Sequence, residues 1–184
     1  YILGRVFGRE DYFQSPKYFE GYEEIIRKDF TLKEPLTGKS AELLVEIKNC
    51  SSVGIHVRRG DYVGNATHPV LDERYYKAGL EYISRKSKID KIYVFSDDIG
   101  WCKENLQFGH DTVFVGDEYA GKYVEGHMML MSACKNLVIA NSTFSWWAAW
   151  LSDTPAKIIV TPKKWFADPK ISTDDLIPES WVRL

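Results

Sequence analysis

The chain has 184 residues, of which 45% are hydrophobic and 27% are charged, a composition typical of a soluble globular protein that can bury a core. Its net charge of −2 excludes the basic field that nucleic-acid-binding domains present, so no nucleic-acid partner is expected. Three cysteines at wide spacings argue against a disulfide framework or a zinc site, and no apolar run approaches the length of about 18 residues that a membrane span needs.

Residues 1–50 are the least regular part of the chain and are predicted to form a connecting segment with helices. Aromatic side chains crowd residues 12–22. Such crowding can form a platform for a sugar ring, but packing is the favoured interpretation, because aromatic side chains dominate core burial. A helical apolar rhythm covers residues 22–30, and Ser40 is expected to cap a second helix that runs to about Lys48.

A short apolar run over residues 52–57 is predicted to be a buried strand, since it contains β-branched residues and no helix or strand breaker. It leads directly into Arg58 and Arg59, followed by a glycine and Asp61. Ligands bind at the carboxyl ends of strands in open parallel sheets, and a guanidinium group matches the oxygens of a diphosphate. The two arginines are therefore candidate ligand-binding residues, with Asp61 holding one of them. A solvated surface turn is the alternative.

Helices and strands alternate along the rest of the chain. The predicted elements are a helix over 72–87, a strand over 91–96, a helix over 99–106, a strand over 112–115, a helix over 127–135, a strand over 137–140, a helix that ends near 151 and a strand over 157–161. This rhythm predicts an α/β fold with a Rossmann-like parallel sheet and helices on both faces.

Polar side chains follow three of the predicted strands. The arginine pair follows the first, and Asp97 with Asp98 follows the second. The strand over 137–140 is followed by Asn141, Ser142, Thr143 and Ser145 at the start of a helix. Hydroxyl and free N–H groups at a helix start can bind phosphate, although an ordinary N-cap is the alternative. Three polar strand ends on one rim can converge on a single ligand.

Four motifs resemble, in the same order, those of the α-1,2-fucosyltransferases of glycosyltransferase family 11. They are HVRRGDY at 56–62, VFSDD at 94–98, IANSTFSWW at 139–147 and PKKW at 162–165. The likeness extends over nearly the whole chain, including residues 14–19 and 177–181. It implies a GT-B architecture of two Rossmann-like domains. Residues 51–184 are then the C-terminal half, a GDP-sugar-binding domain, and the N-terminal domain is expected to be missing.

The resemblance also implies roles for individual residues. His56 and either Asp97 or Asp98 are expected to contact the guanine of GDP-fucose, and Arg58 with Arg59 to hold the diphosphate. The segment from Asn141 through Ser142 and Thr143 to Ser145 is expected to support the phosphates. The family usually has an acidic residue where this chain has His127, so that position receives no family role.

The reaction implied is an inverting transfer of L-fucose from GDP-fucose to the 2-hydroxyl of an oligosaccharide acceptor with a terminal galactose. Arg58, Arg59 and Asp61 are the expected catalytic residues, since the arginines can stabilise charge that grows on the departing GDP. Asp61 is favoured as a clamp over a general base, because neighbouring cations favour its ionised form. No cofactor or metal is expected. The alternative is that Asp97 and Asp98 chelate Mg²⁺ or Mn²⁺.

Two other functions stay open at this stage. The chain can be an isolated domain that binds GDP-fucose without activity, or part of a transferase for another GDP-sugar or another linkage. Reduced cysteines fit a cytoplasmic location best. The absence of an apolar run long enough to cross a membrane leaves peripheral association with a membrane as an open alternative.

Overall fold

The computed structural model describes residues 12–120 and 125–184. Residues 1–11 of the predicted connecting segment lie outside the described residues. The centre of the fold is a six-stranded sheet. Its strands are β1 (Ser52–Val57), β2 (Lys91–Ser96), β3 (Thr112–Val115), β4 (Asn136–Val138), β5 (Ile159–Thr161) and β6 (Val182–Arg183). Their order is β3-β2-β1-β4-β5-β6, and every neighbouring pair is parallel, which confirms the predicted Rossmann-like sheet.

The order of the strands fixes where a ligand can bind. The chain builds β1, β2 and β3 outward in one direction and then returns to place β4 on the other side of β1. Val57 pairs with Ser96 across β1 and β2, and Ile55 pairs with Val138 across β1 and β4. The strand order therefore reverses between β1 and β4. Open α/β sheets bind ligands in the crevice outside the carboxyl ends of the strands at such a reversal.

Six helices cover the sheet in the described parts of the chain. They are α1 (Glu23–Asp29), α2 (Gly38–Asn49), α3 (Glu73–Ser84), α4 (Ile99–Asn105), α5 (Glu125–Ser132) and α6 (Thr143–Leu151). Short 3₁₀ turns lie at Pro16–Phe19, Gly60–Tyr62 and Asp117–Tyr119. The side chains of β2 alternate between two buried clusters. Tyr93 and Phe95 pack with residues of α2, α5 and α6, whereas Ile92 and Val94 pack with residues of α3 and α4. Helices thus pack on both faces, as predicted.

The start of α2 differs from the predicted one. The helix begins at Gly38, and its N-cap position is Thr37. Ser40, the predicted cap, is buried inside the helix, and its hydroxyl donates a hydrogen bond to the carbonyl of Tyr119 at 2.8 Å. The serine side chain therefore joins α2 to the 3₁₀ turn after β3. A tertiary partner of this kind has no local sequence signal, because it lies far away along the chain.

Helix α6 connects distant parts of the chain through its tryptophans. The indole nitrogen of Trp146 donates a hydrogen bond to the carbonyl of Leu176 at 2.7 Å, and that of Trp147 donates one to the carbonyl of Tyr12 at 3.2 Å. Phe19 packs between Trp147 and Trp150, with ring centroids 5.2 and 5.1 Å away. A buried indole N–H needs an acceptor, so each tryptophan fixes a backbone segment to the helix.

The helices are short. The longest among the described residues, α2 and α3, have 12 residues each, and a helix that crosses a membrane needs about 20. Within residues 12–120 and 125–184, no helix has both the length and the apolar character to span a bilayer.

Gly79 lets α3 pack closely on the sheet. A Cβ atom at this position would lie 2.7 Å from one methyl carbon of Val138 and 3.0 Å from the other. We expect Gly79→Ala to lower the free energy of unfolding by about 1–3 kcal/mol, although alanine is the better helix former, because the added carbon overpacks the core. Urea unfolding measures this difference.

The matched control is Gly100→Ala in α4, where an added Cβ meets no atom within 4 Å. This variant should be as stable as the parent protein or more stable by up to about 1 kcal/mol, through the lower entropy of its unfolded chain. If both substitutions stabilised the protein equally, α3 would not approach the sheet as closely as described.

Candidate functional site

The polar segments after β1, β2 and β4 lie together at the carboxyl edge of the sheet, because these three strands are neighbours. The structure brings Arg58, Arg59 and Asp61 into contact with Asp97 and Asp98. The segment that begins α6 lies on the other side of the crevice and is joined to them through a tyrosine. The candidate residues therefore surround one crevice at the reversal of strand order.

Arg58 is held by two carboxylates. Its Nη2 lies 2.6 Å from Oδ1 of Asp61, and its Nη1 lies 3.3 Å from Oδ2 of Asp97. The guanidinium carbon is 5.4 Å from the centre of the Tyr62 ring, a cation–π distance. The Nε atom is buried and has no hydrogen-bond partner among the described residues. The side chain is thus fixed in place while one of its donors is free.

Arg59 contacts a different aromatic ring and a different carboxylate from those of Arg58. Its guanidinium carbon lies 3.6 Å from the centre of the Trp101 ring on α4, and its Nε lies 3.4 Å from Oδ2 of Asp98. Asp98 also caps α4, because its Oδ1 accepts a hydrogen bond from the Trp101 N–H at 3.1 Å. One aspartate therefore orients both the helix and the arginine that rests on it.

Asp97 joins the ends of β1 and β2. Its Oδ1 accepts a hydrogen bond from the backbone N–H of Arg59 at 2.9 Å, while its Oδ2 faces Arg58. A Cβ atom at Gly60 would collide with the same Oδ2 atom. The absence of a side chain at position 60 therefore leaves room for this placement of the Asp97 carboxylate, which a larger residue would have to displace.

His56 is the most buried titratable group of the crevice. Its side chain lies near the end of β1, and its ring centre is 5.1 Å from that of Phe144. Burial, and then the positive charge of Arg58, lowers the pKa of His56 from its ordinary 6.5 to about 3. The ring is therefore neutral at physiological pH. Its Nδ1 atom is buried and has no partner in the described parts of the chain.

The residues before and in α6 divide into two groups. The Asn141 amide nitrogen donates hydrogen bonds to the carbonyls of Pro69 at 3.1 Å and Trp165 at 2.9 Å. The Ser145 hydroxyl donates to the carbonyl of Ala140 at 3.1 Å. These two polar groups are turned into the protein, where they fix the loops around the crevice.

Ser142 and Thr143 lie at the beginning of the helix. Ser142 occupies the N-cap position, but its side chain makes no capping hydrogen bond. The hydroxyl of Thr143 donates to Oε1 of Gln14 at 3.1 Å. The first N–H groups of α6 therefore receive no acceptor from the Ser142 side chain, and a helix start in this condition favours an anion.

Tyr62 connects the two sides of the crevice. Its hydroxyl donates a hydrogen bond to the carbonyl of Asn141 at 2.9 Å, and its ring stacks on His68 with centroids 4.7 Å apart. Neither this contact nor the support of Arg59 by Trp101 was predicted from the sequence. Tyr62 is part of the HVRRGDY motif, and Trp101 stands three residues after the cap of α4, but the sequence gives no direction for either ring.

The described residues contain no group of three or more histidine, cysteine, aspartate or glutamate side chains that could hold a metal ion. Asp97 and Asp98 are the candidate ligands of the metal alternative, and here each faces an arginine, at 3.3 and 3.4 Å. A metal at this position would have to displace those guanidinium groups. The expectation that no metal is needed stays a prediction.

Comparison with known proteins gives matches over most of the chain. Residues 8–184 match the family model described as Glycosyl transferase family 11. An Alpha-1,2-colitosyltransferase and the O-antigen biosynthesis glycosyltransferase WbnK, both from Escherichia coli, are each 36% identical to this chain over 94% of its length. A Galactoside 2-alpha-L-fucosyltransferase from Caenorhabditis elegans is 27% identical, again over 94%. The chain spans 61%, 59% and 51% of the lengths of these three relatives.

The lowered pKa of His56 makes stability depend on pH. As the pH falls below about 6.5 the unfolded chain binds a proton at this histidine, whereas the folded protein does so only near pH 3. The free energy of unfolding should therefore fall between these pH values, by up to about 1.4 kcal/mol per pH unit. Urea unfolding near pH 7 and near pH 5 measures the slope.

Replacing His56 tests whether this residue causes the pH dependence of stability. We expect His56→Gln to show a shallower dependence on pH than the parent protein, while His110→Gln, at an exposed position, keeps the parent slope. Equal slopes for all three proteins would mean that the His56 ring is charged in the folded state as readily as in the unfolded chain.

Proposed function

This chain belongs to glycosyltransferase family 11, and we propose that it is the donor-binding part of an enzyme that transfers L-fucose from GDP-fucose to the 2-hydroxyl of a galactoside. The observation that carries the proposal is the ion-paired arginine clamp at the carboxyl end of β1, next to a neutral histidine whose Nδ1 has no hydrogen-bond partner within residues 12–120 and 125–184. In this proposal a second Rossmann-like domain completes a GT-B enzyme and brings the acceptor.

We assign the guanine base to His56 and one of the two aspartates. Guanine presents N–H donors on the edge that pairs with cytosine, and a carboxylate accepts from such donors. Asp98 has a side chain 43% exposed, compared with 24% for Asp97, so it is the more accessible of the two. The Nδ1 of His56, which no described residue contacts by a hydrogen bond, supplies one further polar contact inside the crevice.

We assign the diphosphate to the arginine pair and the start of α6. Negative charge grows on the departing GDP while the sugar becomes oxocarbenium-like. A guanidinium that already points at that charge stabilises the transition state more than the ground state. Asp61 and Asp97 hold Arg58 in position before the substrate arrives, which is the clamp role expected for Asp61. Arg59 is held by Trp101 and Asp98.

The uncapped N–H groups of Thr143 and its neighbours face an anion in this assignment, with Ser142 beside them. Asn141 and Ser145 then act by fixing the loops, because their polar groups already bond to carbonyls. We further propose that the reaction needs no metal, since the arginines supply the positive charge that Mg²⁺ or Mn²⁺ supplies elsewhere.

The choice of donor sugar and acceptor draws on the names of the relatives. One relative is a galactoside fucosyltransferase by name, and another is a colitosyltransferase. Colitose is L-fucose without one hydroxyl group, so the two donors differ at a single polar contact. Product analysis with both GDP-sugars distinguishes these donors. Recovery of activity when a further domain is supplied separates an enzyme from a domain that only binds.

We also propose a cytoplasmic location, with peripheral membrane association as an alternative. The support is chemical, since Cys50, Cys102 and Cys134 are all free in the structure, as expected in a reducing compartment.

The nucleotide specificity of the chain is the direct test of the proposed function. We expect calorimetric titration to show binding of GDP in preference to ADP and UDP, because of the three bases only guanine places two adjacent N–H donors on that edge, where they can meet both oxygens of one carboxylate. The preference should persist in EDTA. Equal binding of the three nucleotides would contradict the guanine assignment, and loss of binding in EDTA would favour a metal held by Asp97 and Asp98.

Truncation of Arg58 tests the clamp. In the enzyme completed by its second domain, we expect Arg58→Ala to remain folded but to lower the rate of sugar transfer about a hundredfold, which corresponds to roughly 3 kcal/mol of transition-state stabilisation. Arg85→Ala is the matched control, because Arg85 is an exposed, ion-paired arginine at the end of α3. Transfer kinetics give the rate, and thermal unfolding gives the stability. An Arg58→Ala protein that does not fold would show that the pair is structural.

A further inference from the structure

A cavity of about 440 Å³ lies between the segment over residues 12–18 and the tail over residues 172–176. Pockets for small ligands usually measure about 300–1,000 Å³, so this cavity is large enough for one. Its polar and aromatic lining comes mainly from Tyr12, Phe13, Gln14, Tyr18, Asp174 and Asp175. None of these residues belongs to the donor site assigned above.

Both walls of the cavity are attached to the same helix. The carbonyl of Tyr12 accepts a hydrogen bond from Trp147, and the carbonyl of Leu176 accepts one from the adjacent Trp146. The two indole groups therefore hold the segment over residues 12–18 and the tail at a fixed separation. A ligand bound between them meets walls that are already ordered, which lowers the entropic cost of binding.

The cavity adjoins the donor site through Gln14. Its Oε1 accepts a hydrogen bond from the hydroxyl of Thr143, the first residue of α6 and part of the proposed phosphate site. Its Nε2 is buried and makes no hydrogen bond to any described residue. A buried donor without an acceptor costs free energy, and a ligand hydroxyl can supply that acceptor.

The side chains around the cavity have the chemistry that a neutral sugar ring needs. Tyr12 and Tyr18 are 58% and 65% exposed, so their rings are available to pack on the apolar face of a pyranose. Asp174 and Asp175 supply carboxylate oxygens that accept hydrogen bonds from hydroxyl groups. Asp175 is ion-paired with Lys17, so Asp174 leaves one net negative charge among these three groups, and it disfavours a phosphate or a carboxylate ligand, because like charges repel.

Phe13 adds an independent observation. Its backbone φ is 47°, in the left-handed region that bulky residues rarely adopt, and its ring packs edge-on against Tyr18 with centroids 5.4 Å apart. Strained backbone of this kind costs roughly 1–3 kcal/mol and occurs preferentially at ligand sites. Here it orients the aromatic wall of the cavity.

We propose that this cavity binds a neutral pyranose ring, and that the ring is the acceptor sugar that the second domain brings to the donor site. The inference rests on the proposed function, because an acceptor sugar is needed only if the chain takes part in sugar transfer. The fucose of GDP-fucose is also a neutral pyranose ring, so it is the other ligand with the chemistry that fits this cavity. The position of the cavity beside the start of α6 would bring an acceptor hydroxyl to the side of the donor where the diphosphate is held.

The test is saturation-transfer NMR of the chain with methyl β-D-galactoside at millimolar concentrations. We expect Tyr18→Leu and Gln14→Leu to reduce the transfer to the sugar several-fold, while Tyr18→Phe, which keeps the ring, retains it. The matched control is Tyr22→Leu, since Tyr22 is 64% exposed and does not line the cavity. Calorimetric titration of each variant with GDP monitors the donor site and the fold independently.

The outcomes separate the two proposals. Sugar binding that is absent, or equal in all variants, while GDP binds normally overturns the cavity assignment and leaves the proposed function intact. Sugar binding that depends on Tyr18 and Gln14 in a protein that does not bind GDP supports the cavity and overturns the proposed function. Displacement of the galactoside by GDP-fucose but not by GDP would assign the cavity to the donor's sugar and overturn the acceptor assignment.

Discussion

The ion pair and hydrogen bond of Asp97 are the interactions on which the crevice depends. This carboxylate meets the Arg58 side chain and the Arg59 backbone at once, in space that Gly60 leaves open. Its position follows from the register of the sheet, which pairs the last residue of β1 with the last residue of β2. Removing one partner of a partly buried ion pair leaves the other charge uncompensated, so the arginines and the aspartate form one unit.

The strands that are covered on both faces of the sheet could be predicted from the sequence. The bounds of β1, β2 and β3 agree with the prediction, since a strand covered on both faces forms a continuous apolar run that ends at charged or polar residues. The strand β6 has only two residues, Val182–Arg183, and it pairs with β5 because the tail is fixed to α6. A strand of that length has no periodicity, and its position depends on tertiary contacts.

The residue types of the candidate site could be predicted from the sequence, but the directions in which their side chains point could not. The arginines and aspartates after β1 and β2 lie together, because adjacent parallel strands place their carboxyl ends at one edge. Asn141 and Ser145 follow the same rule, yet their polar groups point inward to backbone carbonyls. The aromatic residues near the start of the chain also differ in burial, since Phe19 packs in the core whereas Tyr18 is exposed. Whether such a side chain points into the protein or outward depends on partners that are distant in sequence.

The strand order has a consequence for the order of assembly during synthesis. The arginines and Asp97 precede β4 and α6 in the sequence, so β1 can pair with β2 before the opposite wall of the crevice has been synthesised. The opposite wall needs β4, and the amide of Asn141, which can already donate to the carbonyl of Pro69, gains its second acceptor only when Trp165 has been made. Long-range parallel pairing is slow, because a large loop must close first. A nascent chain can thus form its arginine clamp while one side of the crevice is still open, and that side closes later in synthesis.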